Sequence, residues 1–127
     1  MQAIAGFKTG RNYYVRSQFA LARIFISKYA ELIDYKLFLT HDNRKSTKEL
    51  EVSIIIVSYG GGKELLACIE SVMKQTSQSS EIIVVDNGKN ESIYDYLKKT
   101  PLLLVKPPIN MLPSEGRNIG AFFAKSD

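Results

Sequence analysis

Six polar residues, placed where apolar or amphipathic segments begin or end, are the candidates for chemistry in this sequence. They are Ser58 and Tyr59, Asp86 and Asn87, and Arg117 and Asn118. The first four directly follow apolar runs that are typical of buried strands. In open α/β sheets, ligands bind in the crevice beyond the carboxyl ends of the strands. These four residues therefore predict half of a nucleotide-binding site.

The candidate residues could also have purely structural roles. Asp86 can accept hydrogen bonds from a base N–H or from ribose hydroxyl groups, but Asn87 and Gly88 form a turn pair that Asp86 can cap through its own backbone. Arg117 and Asn118, in the first turn of a predicted helix, can direct a forked cation, an amide and free backbone N–H groups toward a phosphate. They can equally be a solvent-exposed helix start. Both alternatives stay open at this point.

The glycine run at residues 60–63 (GGGK) matches neither of two common phosphate-binding motifs. A P-loop requires glycine where Val57 stands and Ser or Thr where Glu64 stands. The dinucleotide fingerprint lacks its third glycine, because Leu65 occupies that position. We therefore expect no nicotinamide cofactor, and we expect the glycines to turn the chain sharply from strand to helix.

Three strand–helix units must position the candidate residues. Apolar runs predict strands at residues 52–58, 82–85 and 102–105, and periodic segments predict helices at 63–75, 91–98 and 115–125. Strands that are apolar at nearly every position are typical of parallel sheets covered on both faces. The pattern predicts an α/β fold with a right-handed, doubly wound, Rossmann-like parallel sheet.

A helical leader and linker at residues 1–48 is predicted to precede the domain at residues 49–127. Residues 17–38 carry an amphipathic helical stripe, and the polar run 41–48 marks the boundary. Residues 1–50 contain nine Lys and Arg against four Asp and Glu, whereas residues 51–127 contain eight against nine. This basic helix could pack on the domain, on another chain or peripherally on a membrane surface.

Composition narrows the class of protein. A length of 127 residues with 45% hydrophobic and 24% charged residues is typical of one soluble domain. The single Cys68 cannot form an internal disulfide, and its helical spacing predicts burial; His41 has no neighbouring metal ligands and is expected at the surface. We find no secretory signal, membrane span or nucleic-acid signature, and we expect a cytoplasmic location, with the inner face of the membrane as an alternative.

The predicted sheet lacks a neighbour on one side. The first strand is apolar enough to need partners on both sides, but the other two predicted strands can fill only one. A helix that should feed a fourth strand ends at the last residues of the sequence. We therefore expect a partial domain, truncated after three strand–helix units, with an exposed sheet edge.

Three sequence blocks together resemble the amino-terminal half of a family 2 glycosyltransferase of the GT-A fold, over residues 51–127. They are SIIIVSYGGGKELLACIESVMKQT, EIIVVDNG and SEGRNIGAFFAKSD. The resemblance implies that Ser58, Tyr59 and Asp86 bind the nucleoside of a nucleotide-diphosphate sugar, and that Arg117 and Asn118 face the nucleotide. The implied activity is transfer of the sugar to a glycan, polysaccharide or lipid-linked acceptor.

The sequence departs from that family at several points. Gly60 stands where the family often has Asn, and residues 87–90 (NGKN) replace a second Asp followed by Gly-Ser-Thr-Asp. The Asp-x-Asp motif, which in the family holds a divalent Mg or Mn ion, would follow Asp127, as would the catalytic base. No catalytic or metal-binding residue is therefore predicted here, and the chain alone is expected to be inactive. The alternative is a non-catalytic, truncated nucleotide-binding or interaction module.

Overall fold

The structure, a computed structural model, describes residues 33–45, 49–75, 79–88 and 91–126. The predicted amphipathic helix at residues 17–38 lies mostly outside these ranges, and its last part is a 3-10 turn, Tyr35–Leu37. A compact unit spans Tyr35–Asp127. A strand from the predicted linker, Leu39–Asp42, joins the sheet of this unit, and the domain boundary at residue 48 stays a prediction.

Within the described residues the chain forms four strands and three helices. They are β1 (Leu39–Asp42), β2 (Val52–Ser58), α1 (Lys63–Gln75), β3 (Ser80–Asp86), α2 (Tyr94–Leu97), β4 (Leu103–Lys106) and α3 (Leu112–Phe123). A 3-10 turn, Glu91–Ile93, leads into α2, so the predicted helix at 91–98 is regular only in its second half. The three predicted strand–helix units are confirmed.

The sheet is mixed, with the strand order β1-β4-β3-β2. Strands β2, β3 and β4 run parallel, as predicted, but β1 pairs antiparallel with β4, from Leu39 opposite Lys106 to Asp42 opposite Leu103. The prediction of a purely parallel sheet is therefore wrong at this edge. Strand β1 is short and exposed along its whole length, so it carries no apolar pattern. At the other edge, β2 pairs with β3 alone among the described residues.

The two faces of the sheet are covered by different helices, and the alternation of strand side chains decides which residues face which helix. On one face a buried cluster joins the sheet to α1 and α2. Its members are Leu65, Ile69, Ile82, Val84, Ile93, Tyr94, Leu97, Leu102 and Leu104. Helix α3 packs against β2 and β3. Alternate positions such as Ile83 and Val85 are also buried, which explains the continuously apolar β3.

Two glycines let α3 approach β2 closely. A Cβ atom built on Gly116 would lie 2.6 Å from Cγ1 of Val57, and one built on Gly120 would lie 2.3 Å from Cγ2 of Ile55. Both separations are far below van der Waals contact, so larger residues would push the helix off the strand. The spacing of four residues places both glycines on one face of α3.

A polar cluster lies at the opposite end of the sheet from the candidate site, and we call it the amino-end cluster: Asp42, Arg44, Ser53 and Glu81. Arg44 pairs with Asp42 at 2.6 Å and with Glu81 at 2.7 Å, and it also donates to the carbonyl oxygen of Phe123 at 2.8 Å. Glu81 accepts further bonds from the Ser53 hydroxyl and, at 2.6 Å, from the Lys125 backbone N–H. The cluster therefore ties three strands to the end of α3.

These contacts stabilise the charged forms of the cluster. Hydrogen bonding to Arg44 lowers the pKa of Asp42. Burial alone would raise the pKa of Glu81, but hydrogen bonds from Ser53, the Lys125 N–H and Arg44 outweigh it and lower the pKa. The same bonds, led by that to Asp42, raise the pKa of Arg44.

Helix α1 buries a narrower stripe than its sequence predicts. Leu65 and Ile69 are buried, whereas Cys68 and Met73 are exposed. The prediction that Cys68 is buried is wrong, because α1 contacts the sheet along Leu65 and Ile69 and turns Cys68 outward. His41 is exposed, as predicted, and its Nε2 lies 3.2 Å from the carbonyl oxygen of Lys98.

Candidate functional site

The carboxyl ends of the parallel strands place three polar side chains on one face of the sheet. Ser58 pairs directly with Asp86 in the β2–β3 register. Val85 pairs with Val105, so the next residues, Asp86 and Lys106, end their strands side by side. All three have the parity of the residues that face α1 and α2. We call Ser58, Asp86 and Lys106 the carboxyl-end row.

The loops that follow β2 and β3 are in backbone contact beside this row. The Ser58 hydroxyl accepts a bond from the Gly61 N–H at 3.2 Å, Gly60 adopts a φ of +63°, and Tyr59 is 75% exposed. A Cβ atom on Gly88 would lie 2.0 Å from the backbone nitrogen of Gly60. Only glycine at position 88 allows this contact, so the two loops form one continuous rim from which Tyr59 projects.

Asp86 is almost completely buried, at 1% exposure, and both of its carboxylate oxygens have protein donors. Oδ1 accepts the Gly88 N–H at 3.0 Å, and Oδ2 accepts the Tyr94 hydroxyl at 2.7 Å. Asp86 thus caps its own loop, which is the structural role named as the alternative in the sequence analysis. A carboxylate has about four acceptor positions, so each oxygen retains capacity for a further donor.

Tyr94 links Asp86 to Lys106. The Lys106 ammonium contacts the Tyr94 hydroxyl and lies 3.8 Å from the centroid of the Tyr94 ring. Because the single hydroxyl proton of Tyr94 goes to Asp86, its oxygen accepts from Lys106. A cation is therefore held one hydroxyl group away from a buried carboxylate, and Lys106 is only half-buried.

Asn87 is buried, and its backbone N–H, side-chain oxygen and side-chain amide all form hydrogen bonds within the protein. Its backbone N–H donates to the Ser58 carbonyl at 2.7 Å. Its side-chain oxygen accepts the Met111 N–H at 3.1 Å, and its amide donates to the Leu112 carbonyl at 3.3 Å. Leu112 has a φ of 66°, which is uncommon for a residue with a side chain. Asn87 therefore fastens the entry of α3 to the strand ends, and its side chain does not point freely toward a ligand.

Arg117 and Asn118 lie in the second turn of α3, since the helix begins at Leu112. The prediction that they occupy the first turn with its free N–H groups is wrong, because Asn87 and the Asn110 side chain, which accepts the Leu112 N–H at 3.0 Å, hold the helix start earlier. Both side chains are exposed. Arg117 has no polar partner among the described residues.

Asn118 is oriented by a neighbouring buried carboxylate. Its amide donates to Glu115 Oε2 at 3.2 Å, while the Tyr35 hydroxyl donates to the other oxygen of Glu115. Burial and this bond to Glu115 raise the pKa of Tyr35 to about 12. The amide oxygen of Asn118 accepts no hydrogen bond from another described residue.

Tyr94 and Lys106 were not among the residues singled out from the sequence. A signal for Lys106 existed, because it is the polar residue that ends the apolar run LLLVK, just as Ser58 and Asp86 end theirs. Tyr94 had no such signal, since its role depends on the contact between α2 and β3.

The described residues contain neither a metal-ligand cluster nor a membrane-spanning helix. Among them, no group of three His, Cys, Asp or Glu side chains is arranged to hold a metal ion. Within the same ranges, none of the helices has the length and apolar character needed to cross a membrane.

Comparison with known proteins identifies the family of this chain. The family model described as Glycosyl transferase family 2 matches residues 53–127, more than half of the chain. The chain therefore belongs to glycosyl transferase family 2, and the family resemblance read from the sequence is confirmed.

Two curated relatives carry glycosyltransferase names. An uncharacterized glycosyltransferase of Haemophilus influenzae is 34% identical over 77 residues, which cover 60% of this chain and 26% of the relative. The glycosyltransferase GlyG of Streptococcus pneumoniae serotype 4 is 42% identical over 41 residues, which cover 32% of this chain and 14% of the relative. The chain thus spans about a quarter or less of each relative's length. No solved structure matches significantly.

Proposed function

We propose that this chain forms the donor-nucleotide part of a glycosyltransferase that transfers a sugar from a nucleotide-diphosphate sugar to a glycan, polysaccharide or lipid-linked acceptor. Family membership supports the transferase class. The nucleotide site, the GT-A variety of the fold and the acceptor belong to the proposal.

The observation that carries the proposal is the clustering of polar groups at the carboxyl end of an otherwise apolar parallel sheet. Ser58 and Asp86 are adjacent in register, Tyr59 projects from the rim beside them, and Asn87 joins this edge to the start of α3. This edge is where ligands bind in open α/β sheets.

The proposed site has two ends, a cationic end on α3 for the diphosphate and an end at the strand termini for the nucleoside. Arg117 and the oriented amide of Asn118 supply a forked cation and a polar group on α3, which suit a diphosphate. Tyr59 offers an exposed ring on which a base can stack. Asp86 is proposed to accept a hydrogen bond from the nucleoside through its remaining acceptor positions.

A divalent metal, Mg²⁺ or Mn²⁺, is proposed for the full-length enzyme. Such an ion would neutralise charge on the leaving diphosphate. The described residues do not supply a ligand group for it. We therefore assign this chain no step that depends on the metal, and no catalytic residue.

Calorimetric titration of the 127-residue chain with uridine and guanosine diphosphates tests the proposal. We expect saturable binding of at least one of them. Tyr59→Ala should weaken it about 10-fold, because stacking on an aromatic ring contributes roughly 1–3 kcal/mol. Arg117→Met should weaken it by a similar factor, because a charged hydrogen bond to phosphate is lost.

Matched controls are Tyr96→Ala and Lys74→Met, which remove an exposed tyrosine and an exposed cation outside the proposed site. Circular dichroism of every variant confirms that it is folded. Absence of binding by the folded chain, or an equal loss in the control variants, would contradict the proposal.

A further inference from the structure

We infer that Tyr35, which precedes the family 2 domain in the chain, is a positioning residue for the proposed diphosphate site and acts on Asn118 through Glu115. The family model begins at residue 53, so Tyr35 lies in a part of the chain that the model does not cover. The inference rests on the proposed function. It adds to that function a residue that the family domain alone does not contain.

Glu115 links Tyr35 to Asn118. Its carboxylate is buried, and each oxygen accepts one side-chain donor: Oε1 accepts the Tyr35 hydroxyl, and Oε2 accepts the Asn118 amide at 3.2 Å. Glu115 and Asn118 are three residues apart on α3 and are neighbours on the helix surface. Tyr35 is 80 residues away from Glu115 in the sequence. One carboxylate therefore joins the segment before the family domain to a polar side chain of α3.

The ring of Tyr35 is held in place by aromatic packing. Its centroid lies 5.6 Å from that of Phe38 and 5.3 Å from that of Phe122, and it meets Phe122 edge-to-face at 80°. Phe38 is buried, and its backbone N–H donates to the Tyr35 carbonyl oxygen at 3.0 Å. The position of the Tyr35 hydroxyl is therefore set by the fold.

The Tyr35 hydroxyl is a donor at neutral pH. Burial and the hydrogen bond to Glu115 raise the pKa of Tyr35 to about 12, so the hydroxyl keeps its proton. An ionised carboxylate can only accept hydrogen bonds, and Oε1 of Glu115 therefore depends on a donor such as this one. A buried oxygen without a donor is unfavourable.

This arrangement leaves Asn118 with one donor for a ligand. A side-chain amide has two N–H donors. Asn118 gives one to Glu115, and the other has no acceptor among the described residues. Because Asn118 is exposed, this second N–H can meet a phosphate oxygen. The bond to Glu115 already restricts the amide, so binding costs less rotamer freedom than it would for a mobile side chain.

Loss of the Tyr35 hydroxyl would remove this preorganisation. Oε1 of Glu115 would then lack its donor, and the carboxylate could turn to take the second N–H of Asn118. That N–H is the donor proposed for the phosphate. Tyr35 therefore keeps Glu115 from competing with the ligand for Asn118.

The experiment measures the affinity of the 127-residue chain for uridine and guanosine diphosphates by calorimetry. The variants are Tyr35→Phe, Asn118→Ala and the two combined. Tyr35→Phe keeps the ring, with its contacts to Phe38 and Phe122, and removes only the hydroxyl. We expect Tyr35→Phe to weaken binding about 3-fold and Asn118→Ala to weaken it about 10-fold, as for the loss of an oriented and of a charged hydrogen bond.

The double variant tests whether Tyr35 acts through Asn118. If it does, the double variant binds about 10-fold more weakly than the unchanged chain, like Asn118→Ala alone, because no amide remains to be oriented. Independent roles would multiply to about 30-fold. Tyr96→Phe removes a hydroxyl from an exposed tyrosine outside the proposed site and should leave the affinity unchanged.

A second measurement on the unchanged chain does not depend on the folding of any variant. Nuclear magnetic resonance relaxation reports the order parameter of the Asn118 side-chain amide. We expect a value near that of rigid backbone, about 0.85, without ligand, and a lower value in Tyr35→Phe. A value below about 0.6 in the unchanged chain would show that the amide is not held, and would overturn the inference.

The outcomes separate the inference from the proposed function. Unchanged affinity in Tyr35→Phe or in Asn118→Ala, or multiplied losses in the double variant, would overturn the positioning role while the nucleotide site stands. A lower unfolding temperature of Tyr35→Phe with unchanged affinity would likewise show a purely structural role. Absence of binding for both diphosphates by the folded chain would instead overturn the proposed function, and this inference with it.

Discussion

The two ends of the sheet both hold buried charge, but they use it differently. In the amino-end cluster, Arg44 and Glu81 have side chains only 8% and 2% exposed, and their polar atoms are occupied by Asp42, Ser53 and backbone groups. In the carboxyl-end row, Lys106 and Asp86 each have hydrogen-bonding positions that no other described residue fills. Burial of charge alone therefore does not distinguish the two ends of the sheet; unused hydrogen-bonding capacity does.

The largest expected effect is at the amino-end cluster. Arg44→Met should lower the free energy of unfolding by about 3 kcal/mol, because it leaves Glu81 buried without its cation. Urea denaturation measures this loss, and Lys45→Met, at an exposed neighbouring residue, is the matched control. Nucleotide affinity of the folded fraction should not change, since the cluster is at the far end of the sheet. A change in nucleotide affinity would contradict the view that the amino-end cluster contributes to stability alone.

The next effect is at Asn87, which is a structural residue within the carboxyl end. Asn87→Ala should lower the free energy of unfolding by about 2 kcal/mol, because the buried Met111 N–H loses its acceptor. Asn43→Ala provides the comparison: Asn43 is exposed and its side chain makes one 3.3 Å bond to the Thr100 carbonyl, so a loss below about 1 kcal/mol is expected. Equal losses in the two variants would show that Asn87 does not hold the entry of α3.

The smallest expected effect is the pH dependence of the amino-end cluster. The folded-state pKa values of Asp42 and Glu81 are lowered from 3.8 and 4.5, so their stabilisation is present above those values and is lost as the pH falls through the folded-state values. The effect is limited because the Asp42 side chain is 44% exposed and is screened by solvent. Urea denaturation between about pH 7 and about pH 3 measures how steeply the free energy of unfolding falls with pH. Arg44→Met should make this pH dependence weaker. An unchanged pH dependence would mean that it comes mainly from other carboxylates.

Much of the fold could be predicted because buried parallel strands leave a strong sequence signal. The runs that became β2, β3 and β4 are apolar on both faces, and this is detectable without structural information. Strand β1 (LTHD) could not be found in this way, because it is four residues long, exposed, and stabilised by pairing with β4. Helix α3 begins earlier than predicted because Asn87, distant in sequence, binds its first residues.

The candidate site was predictable only in part, for a similar reason. The rule that polar residues end apolar strands located Ser58 and Asp86, and it also applies to Lys106. It could not show that Asp86 is buried beneath Tyr94, or that the Asn87 side chain is occupied, because both facts depend on contacts between elements. Whether the six predicted residues bind nucleotide stays a prediction.

The contact between Gly60 and Gly88 means that the loops after β2 and β3 cannot vary independently. A side chain at position 88 would displace the backbone at Gly60, and with it the neighbouring Tyr59. Movement of one loop is therefore transmitted to the other. A substitution of Gly88 would therefore disturb two features together, the backbone beside Tyr59 and the Gly88 N–H that Asp86 accepts.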